Sequence, residues 1–351
     1  MAQDILNYLS DMDCKELYMT VDEATGLKAI TAIHNTDLGP ALGGCRCIEY
    51  PSTEAAVIDA VRLAKGMTYK AAISHLPLGG GKMVILKPPH IKDRTAFFTA
   101  VGKAVDLLNG RYITAVDSGT SVEDMDIVAK ATAHVVATSH GKSLVADPSI
   151  LTAQGVVKGI EAAVKYKLNK TSLEGVHVAI QGLGHAGYAL AGDLHALGAI
   201  LTVYDIRQDL QEKVAREFKA KIASNFDDLI SLKCDVFAPC ALGGILNDTT
   251  IPKIKASIVA GCANNQLAEA RHGKSLSERG ILYAPDYVIN AGGLIYVVVE
   301  FSLTEAEARD KINHIYDTLL EIFQKADRES RPTDEIADEL ALTRLKAAKK
   351  T

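Results

Sequence analysis

One stretch near the middle of the chain narrows its possible folds more than any other. Val176-His177-Val178-Ala179-Ile180-Gln181 is an apolar run of strand length. Gly182-Leu183-Gly184-His185-Ala186-Gly187 follows at once, and Tyr188–Leu197 then reads as a helix. Glycines at this spacing have distinct tasks. Gly182 permits the tight turn, Gly184 lets backbone approach a pyrophosphate, and Gly187 lets helix and strand pack closely. The start of the helix offers unpaired N–H groups and the positive end of the peptide dipoles to phosphate oxygens. A second strand, Leu201-Thr202-Val203-Tyr204, ends in Asp205, close to the spacing of about 20 residues at which a carboxylate accepts from the ribose hydroxyls. A carboxylate there favours NAD and repels the 2′-phosphate of NADP, a preference that the nearby Arg207 weakens. The candidate cofactor contacts are Gly182, Gly184, His185, Ala186, Gly187, Asp205 and Ile206, with Cys240, Ala241 and Asn264 further on. His185 reads as a tolerated loop residue, not a base.

Short β-branched runs alternate with longer amphipathic stretches almost throughout, which predicts α/β architecture. At roughly 150 residues per domain, 351 residues suggest two domains. The predicted strands of the first half are Leu17–Val21, Leu27–His34, Cys45–Tyr50, Met83–Leu86, Tyr112–Ala115 and Val135–Ala137. Those of the second are Val176–Gln181, Ile200–Tyr204, Asp235–Ala238, Ser257–Ala260 and Ile281–Ala284. Helices are expected after Pro51-Ser52, from Ser121 with Asp124 three positions on, and from about Leu151 to Tyr166. Asp147-Pro148-Ser149 is turn chemistry and divides a first domain, 1–147, from a doubly wound nucleotide-binding domain, 148–329. Ser302-Leu303-Thr304-Glu305 reads as a capping box opening one long helix with apolar Ile312, Ile315, Leu319, Ile322 and Phe323. Pro332 then breaks it before a last helix, within 330–351, expected to pack back on the first domain.

Composition excludes several classes. Lys+Arg 38 against Asp+Glu 43 gives a net charge of -5 without a run of about five like charges, which argues against nucleic-acid partners and a polybasic membrane tether. No run of about 18 apolar residues predicts a membrane-spanning helix. The N-terminal stretch carries Asp4, Asp11 and Asp13 and does not read as a signal peptide, so a cytoplasmic location is expected. The six cysteines include no CxxC pair and read as reduced thiols. Cys45 and Cys47 share a strand face, but no third or fourth ligand is spaced to complete a metal site, and none is expected.

Candidate chemistry lies in the first half. Lys70 sits beside the turn-like Gly66-Met67-Thr68-Tyr69, and Lys82 follows Gly79-Gly80-Gly81. The second is no P-loop, because Leu76 stands where that motif needs its first glycine and Met83 replaces the Ser/Thr. These glycines read as letting backbone crowd a small ligand while Lys82 points inward. A solvated surface charge is the plain alternative for that lysine. Asp117 ends an apolar strand, where α/β active sites are normally built, with a structural turn aspartate as the alternative. Gly43-Gly44 mark a second close approach, and His75 is a further candidate near the glycine run.

Five segments taken together resemble one family. They are Leu42-Gly43-Gly44-x-Arg46, Lys65-Gly66-Met67-Thr68-Tyr69-Lys70, Gly79-Gly80-Gly81-Lys82, Cys262-Ala263-Asn264-Asn265-Gln266-Leu267, and Tyr283-Ala284-Pro285-Asp286-Tyr287-Val288-Ile289-Asn290-Ala291-Gly292-Gly293. The chain is similar over nearly its whole length to the amino-acid dehydrogenases acting on Glu, Leu, Phe and Val, most of all to the leucine dehydrogenase branch. The resemblance implies NAD-dependent, reversible conversion of an L-amino acid to its 2-oxo acid and ammonia, in a cleft between the two domains. It also implies a homo-oligomer of at least two subunits built through the first domain. Lys70 would bind the substrate α-carboxylate, Lys82 would be the general base, and Asp117 would exchange protons with the amino group. Asn264 and Asn290 would fix the nicotinamide ribose or the substrate. A lysine acts as a base near neutral pH only if burial and like charge, here Lys70, disfavour its ammonium.

Glutamate-specific relatives carry a lysine where this chain has Leu42. Leu42 would leave a substrate side-chain carboxylate buried without a partner, at a cost of about 2–5 kcal/mol. With Ala115, Leu294 and Val297 it implies an apolar pocket suited to leucine, isoleucine or valine. Val116 and Ser118 beside Asp117, Gln154 and Tyr296 depart from the leucine pattern and keep an aromatic substrate, Phe or Trp, as an alternative. A non-catalytic NAD-binding sensor is a third reading, against which the intact trio Lys70, Lys82 and Asp117 argues.

Overall fold

A computed structural model describes residues 4–141 and 148–348, so the predicted turn residue Asp147 lies outside the described residues. The chain divides into two compact units, Met1–Ala146 with Val299–Ser302 and Ala341–Thr351, and Asp147–Val298 with Leu303–Leu340.

The first unit runs α1 (Ile5–Asp11), β1 (Glu16–Asp22), β2 (Leu27–Asn35), β3 (Ala41–Ile48), α2 (Thr53–Ile73), β4 (Gly79–Leu86), α3 (Arg94–Asp106), β5 (Tyr112–Val116) and α4 (Val122–Val128). Its sheet has the order β1-β2-β4-β3-β5. β1, β2 and β4 pair antiparallel, and β4, β3 and β5 pair parallel. Side chains alternate between the two faces. α2 covers one face by packing Ala56, Val57, Ala60, Val61 and Ala64 on Ile30, Ala32 and Val84. On the other face, Phe97, Phe98, Val101 and Val105 of α3 pack on Cys45, Cys47, Met83, Ile85 and Tyr112. Ser52 caps α2 by accepting from the Ala55 N–H, and Ser121 with Asp124 forms the predicted capping box of α4.

Three expectations are corrected here. The segment at Gly66 is no turn, because α2 continues through it to Ile73 and puts Lys70 inside a helix. β3 and β4 begin at Ala41 and Gly79, earlier than predicted, so both glycine clusters are strand residues. Their missing side chains are what the neighbouring α2 and β4 need: a Cβ on Gly80 would lie 2.1 Å from the Thr68 nitrogen of α2, and one on Gly43 would lie 1.8 Å from the Gly81 carbonyl oxygen of β4. Val135–Ala137 forms only a single bridge, Thr114 to Val135, and Ala137 turns away with φ +59.

The second unit runs α5 (Pro148–Leu168), β6 (His177–Gln181), α6 (His185–Ala196), β7 (Ile200–Tyr204), α7 (Gln208–Phe218), β8 (Lys221–Ile222), α8 (Phe226–Ile230), β9 (Val236–Pro239), β10 (Ile258–Val259), α9 (Arg271–Glu278), β11 (Leu282–Tyr283), α10 (Asp286–Ile289), α11 (Gly292–Val297), α12 (Glu305–Asn313) and α13 (Ile315–Glu329). α14 (Thr333–Ala348) follows Pro332. The sheet is parallel, in the order β11-β10-β9-β6-β7-β8. That is the doubly wound Rossmann order, and its direction of winding reverses between β6 and β9, where such sheets bind ligands.

The capping box is formed by Thr304 and Glu307, two residues later than the Ser302–Glu305 box predicted. The predicted long helix is two helices. His314 stands at the break between α12 and α13, where the Asp310 carbonyl oxygen lies 2.8 Å from its Nδ1 and also accepts from its backbone N–H at 3.0 Å. Near the end of α14, Arg344 donates to the Ile73 carbonyl at the end of α2.

Candidate active site

In the first unit, strand register gathers the candidate residues. Leu42 pairs with Gly80, Gly44 with Ala115, and Arg46 with Val84. Alternation therefore puts Leu42, Gly44, Arg46, Lys82 and Ala115 on the face that α2 covers. Lys82 is only 4% exposed, and its amine contacts Oδ2 of Asp117. Oδ1 of Asp117 accepts from Arg46 Nε at 3.3 Å and from the Ser118 N–H. The Asp117 N–H donates to Thr120 Oγ1 at 2.9 Å, and that hydroxyl donates to the Cys45 carbonyl at 2.9 Å. Gly119 closes this turn with φ +82, so close to β3 that a Cβ would lie 1.9 Å from the Cys47 oxygen. Gly44 makes room for the carboxylate, since a Cβ there would lie 2.7 Å from Asp117 Cβ.

Behind the pair stands a second layer. Arg46 NH1 donates to Asp59 Oδ2 at 3.1 Å, and the Tyr50 hydroxyl donates to the same oxygen at 2.6 Å. Burial pulls the Lys82 pKa down to about 7, because an ammonium in a dry site has lost its water. The Arg46 guanidinium is the next cause in the same direction, Asp59 opposes it, and Lys70 adds a smaller push downward. Like charge is thus supplied first by Arg46 rather than by Lys70. Lys70 itself is buried within α2. Gly43 faces the opposite side of the sheet, where its carbonyl accepts from the Tyr112 hydroxyl at 2.6 Å. His75 lies exposed just past the end of α2 with φ +52.

The second unit carries the glycine turn. Gly182 has φ +96, its N–H donates to the Tyr204 carbonyl at 2.8 Å, and a Cβ on it would lie 2.7 Å from Ala241 N. A Cβ on Gly187 would lie 2.0 Å from the Gly182 oxygen, so helix and turn touch through backbone. Gly184 caps α6 without a side-chain hydrogen bond, and space around its Cα is open. The Cys240 N–H donates to the Gln181 carbonyl at 2.7 Å, which sets Cys240 and Ala241 beside the turn at the reversal of strand order. Asp205 accepts from the Leu183 N–H at 2.6 Å and the Arg207 N–H at 2.8 Å. The Arg207 guanidinium is turned to Asp209, at 2.6 Å. His185 and Ile206 are exposed.

Asn290 is buried and donates to Asn264 Oδ1 at 2.8 Å and to the Cys262 carbonyl at 3.1 Å, while its own Oδ1 is buried with no protein partner. Leu294 is buried in α11 and Val297 half-buried at its end. An open glycine cradle, an uncapped helix start and an acidic residue at the end of the next strand fit a dinucleotide. Among the described residues, no group of three or more His, Cys, Asp or Glu is placed to hold a metal ion, and no helix is long and apolar enough to cross a membrane.

Sequence reading picked out Lys82 and Asp117 but gave Arg46 no role and passed over Asp59, Tyr50 and Thr120. A signal for the first two was present: a guanidinium in an otherwise apolar strand, and an acid beside the apolar stripe of α2.

Residues 13–134 match the sequence family described as Glu/Leu/Phe/Val dehydrogenase, dimerisation domain, and residues 199–351 match Glutamate/Leucine/Phenylalanine/Valine dehydrogenase. The leucine dehydrogenase of Thermoactinomyces intermedius is 47% identical over 348 residues, covering 99% of this chain and 95% of that protein. The phenylalanine dehydrogenase of Caldalkalibacillus thermarum is 44% identical, covering 92% and 89%. The crystal structure of L-tryptophan dehydrogenase from Nostoc punctiforme superposes with a TM-score of 0.84 at 41% identity, covering 99% of this chain and all of that one. With two family matches that span most of its length, and with relatives this similar end to end, the chain belongs to the Glu/Leu/Phe/Val dehydrogenase family.

Proposed function

We propose that this protein interconverts an L-amino acid, leucine or another branched-chain one first, with its 2-oxo acid and ammonia, and that it uses NAD. The observation that carries the reading is the buried Lys82–Asp117 contact, with the lysine's pKa drawn down to about 7. An amine that is neutral at working pH can take a proton from the water that attacks the imine carbon of the oxidised substrate. Asp117, in contact with that amine, moves protons to and from the substrate nitrogen. Lys70 supplies a point charge for the α-carboxylate. Lys82, once protonated, stabilises the negative charge that builds on the oxygen of the carbinolamine. Leu42 and Ala115 offer apolar wall on the Lys82 face, and Leu294 and Val297 offer apolar surface in the second unit. Leucine dehydrogenases among the relatives, at 45–47% identity, support leucine as substrate.

For the cofactor, the glycine turn and the first N–H groups of α6 would hold the pyrophosphate, Asp205 the ribose, and Asn264 with Asn290 the nicotinamide end. NAD, when bound, supplies the hydride acceptor. The choice of NAD over NADP rests on Asp205 and on Arg207 being engaged by Asp209. Assembly as a homo-oligomer of at least two subunits is supported by the dimerisation-domain match. A cytoplasmic location is supported by six free thiols.

A panel of L-amino acids with NAD and with NADP, read by absorbance of the reduced nicotinamide, tests this. Leucine should lead, and Lys82→Ala should lower kcat by about 10²–10⁴-fold. Turnover with no L-amino acid would refute the enzyme reading. The Phe and Trp dehydrogenase relatives, at 44% and 45% identity, favour an aromatic substrate as the second reading, which the same panel decides.

A further inference from the structure

We propose that Arg46 is a positioning residue of this site: it fixes one oxygen of Asp117 so that the other stays on the Lys82 amine, and Asp59 with Tyr50 seats it. The inference rests on the reading of Lys82 as base and Asp117 as proton carrier. Two stretches far apart in the chain meet here, residues 46–59 and the turn at Asp117. Arg46 comes from β3, Asp59 from α2, Tyr50 from just beyond β3, and Asp117 from the turn after β5. Arg46 reaches Asp117 through Nε at 3.3 Å and Asp59 through NH1 at 3.1 Å, so one planar fork spans two carboxylates. Tyr50 donates at 2.6 Å to the Asp59 oxygen that holds the fork. The side chains of Arg46, Asp59 and Asp117 are 19, 26 and 16% exposed, so the network is largely withdrawn from water. An ammonium on a flexible stem could neutralise one carboxylate but could not hold two at fixed angles.

The same guanidinium has an electrostatic duty. The charged or titratable groups around Lys82 are Arg46 and Cys45 from β3, Asp59 and Lys70 from α2, and Asp117. Among them Arg46 does most to keep Lys82 neutral, after burial, and Asp59 does most in the opposite direction of those acting at a distance. Removing either one therefore moves the protonation of Lys82 in opposite senses, which a residue that only held the fold together would not do.

The test measures kcat/KM for leucine deamination against pH, together with the pH dependence of Lys82 acetylation by acetic anhydride, read by peptide mass spectrometry. Arg46→Gln should raise both midpoints by about one pH unit and lower kcat by about 10–100-fold as Asp117 loosens. Asp59→Asn should move both midpoints down. Arg46→Lys keeps the charge and loses the fork, so its midpoints should stay near wild type while kcat still falls. Acetylation midpoints that do not move, or that move the same way in Arg46→Gln and Asp59→Asn, overturn the inference. So does an Arg46→Lys enzyme with wild-type kcat. Acetylation midpoints that shift as stated while the kcat/KM profile stays put would uphold the Arg46 network and sink the reading of Lys82 as the base.

Discussion

Replacing Gly44 by alanine tests whether the Lys82–Asp117 contact depends on an empty space in β3. Gly44 has no positive φ, so alanine meets no backbone penalty and any cost is steric. The added methyl would sit 2.7 Å from Asp117 Cβ, 2.8 Å from its Oδ2 and 2.9 Å from the Val116 carbonyl oxygen. Ordinary contact starts at 3.4 Å, so something must retreat by about 0.7 Å. Rotating Asp117 about χ1 does not help, because Cβ is placed by the backbone, and that backbone is tied to Thr120 and through it to Cys45. The turn must therefore shift as a body. A displacement of this size exceeds the roughly 0.5 Å within which catalytic geometry is held, and overpacking of this kind costs about 1–3 kcal/mol. Steady-state kinetics with leucine should show kcat lower by about 10–100-fold, with urea unfolding run in parallel to establish that the variant is folded. Gly66→Ala is the matched control. It lies on α2 with nothing within 4 Å of a new Cβ, so it should leave kcat unchanged and raise stability by about 0.5–1 kcal/mol. A folded Gly44→Ala enzyme with kcat within twofold of wild type would refute this account of the site.

Three further outcomes are expected. Leu42→Lys places an ammonium at a position only 3% exposed, opposite Gly80, and should cut kcat/KM for leucine at least 100-fold while raising that for glutamate; unchanged selectivity would show that Leu42 does not wall the substrate pocket. Asp205→Ser removes the acceptor for the Leu183 and Arg207 N–H groups and should raise the ratio of NADP to NAD turnover by 10-fold or more, on the order of 1.4 kcal/mol; a constant ratio would remove Asp205 from cofactor selection. Asp334 has its pKa raised by burial from 3.8 to about 6, and its Oδ1 is buried with no partner. Because the folded state favours the protonated acid, stability should fall as pH rises from about 4 to 6 and stay reduced above that. Asp334→Asn should therefore raise the unfolding free energy from urea titration at pH 8, by up to about 3 kcal/mol, and leave it unchanged near pH 3.5; an equal gain at both values would disprove the linkage.

Local chemistry was legible from residues alone. The glycine turn, the strands on either side of it and Asp205 lie within about thirty consecutive residues, and each glycine's task is set by its immediate neighbours. The same holds for Ser121 with Asp124, and for strand β7, whose predicted bounds are those observed. Candidate chemistry at Lys82 and Asp117 was readable from composition and position. Their contact was not, since 35 residues separate them.

Tertiary structure decided the rest. It put the Gly79–Gly81 cluster into a strand, with Gly80 against α2, where the residues alone had suggested backbone crowding a small ligand, because close helix packing needs a residue without Cβ. It carried α2 on to Lys70 and broke the α12–α13 segment at His314. Above all it brought Arg46 to Asp117 across 71 residues of chain. The proton affinity of Lys82 follows from that assembly, because burial and the sum of nearby charges are properties of a packed site and leave no trace in the order of residues along the chain.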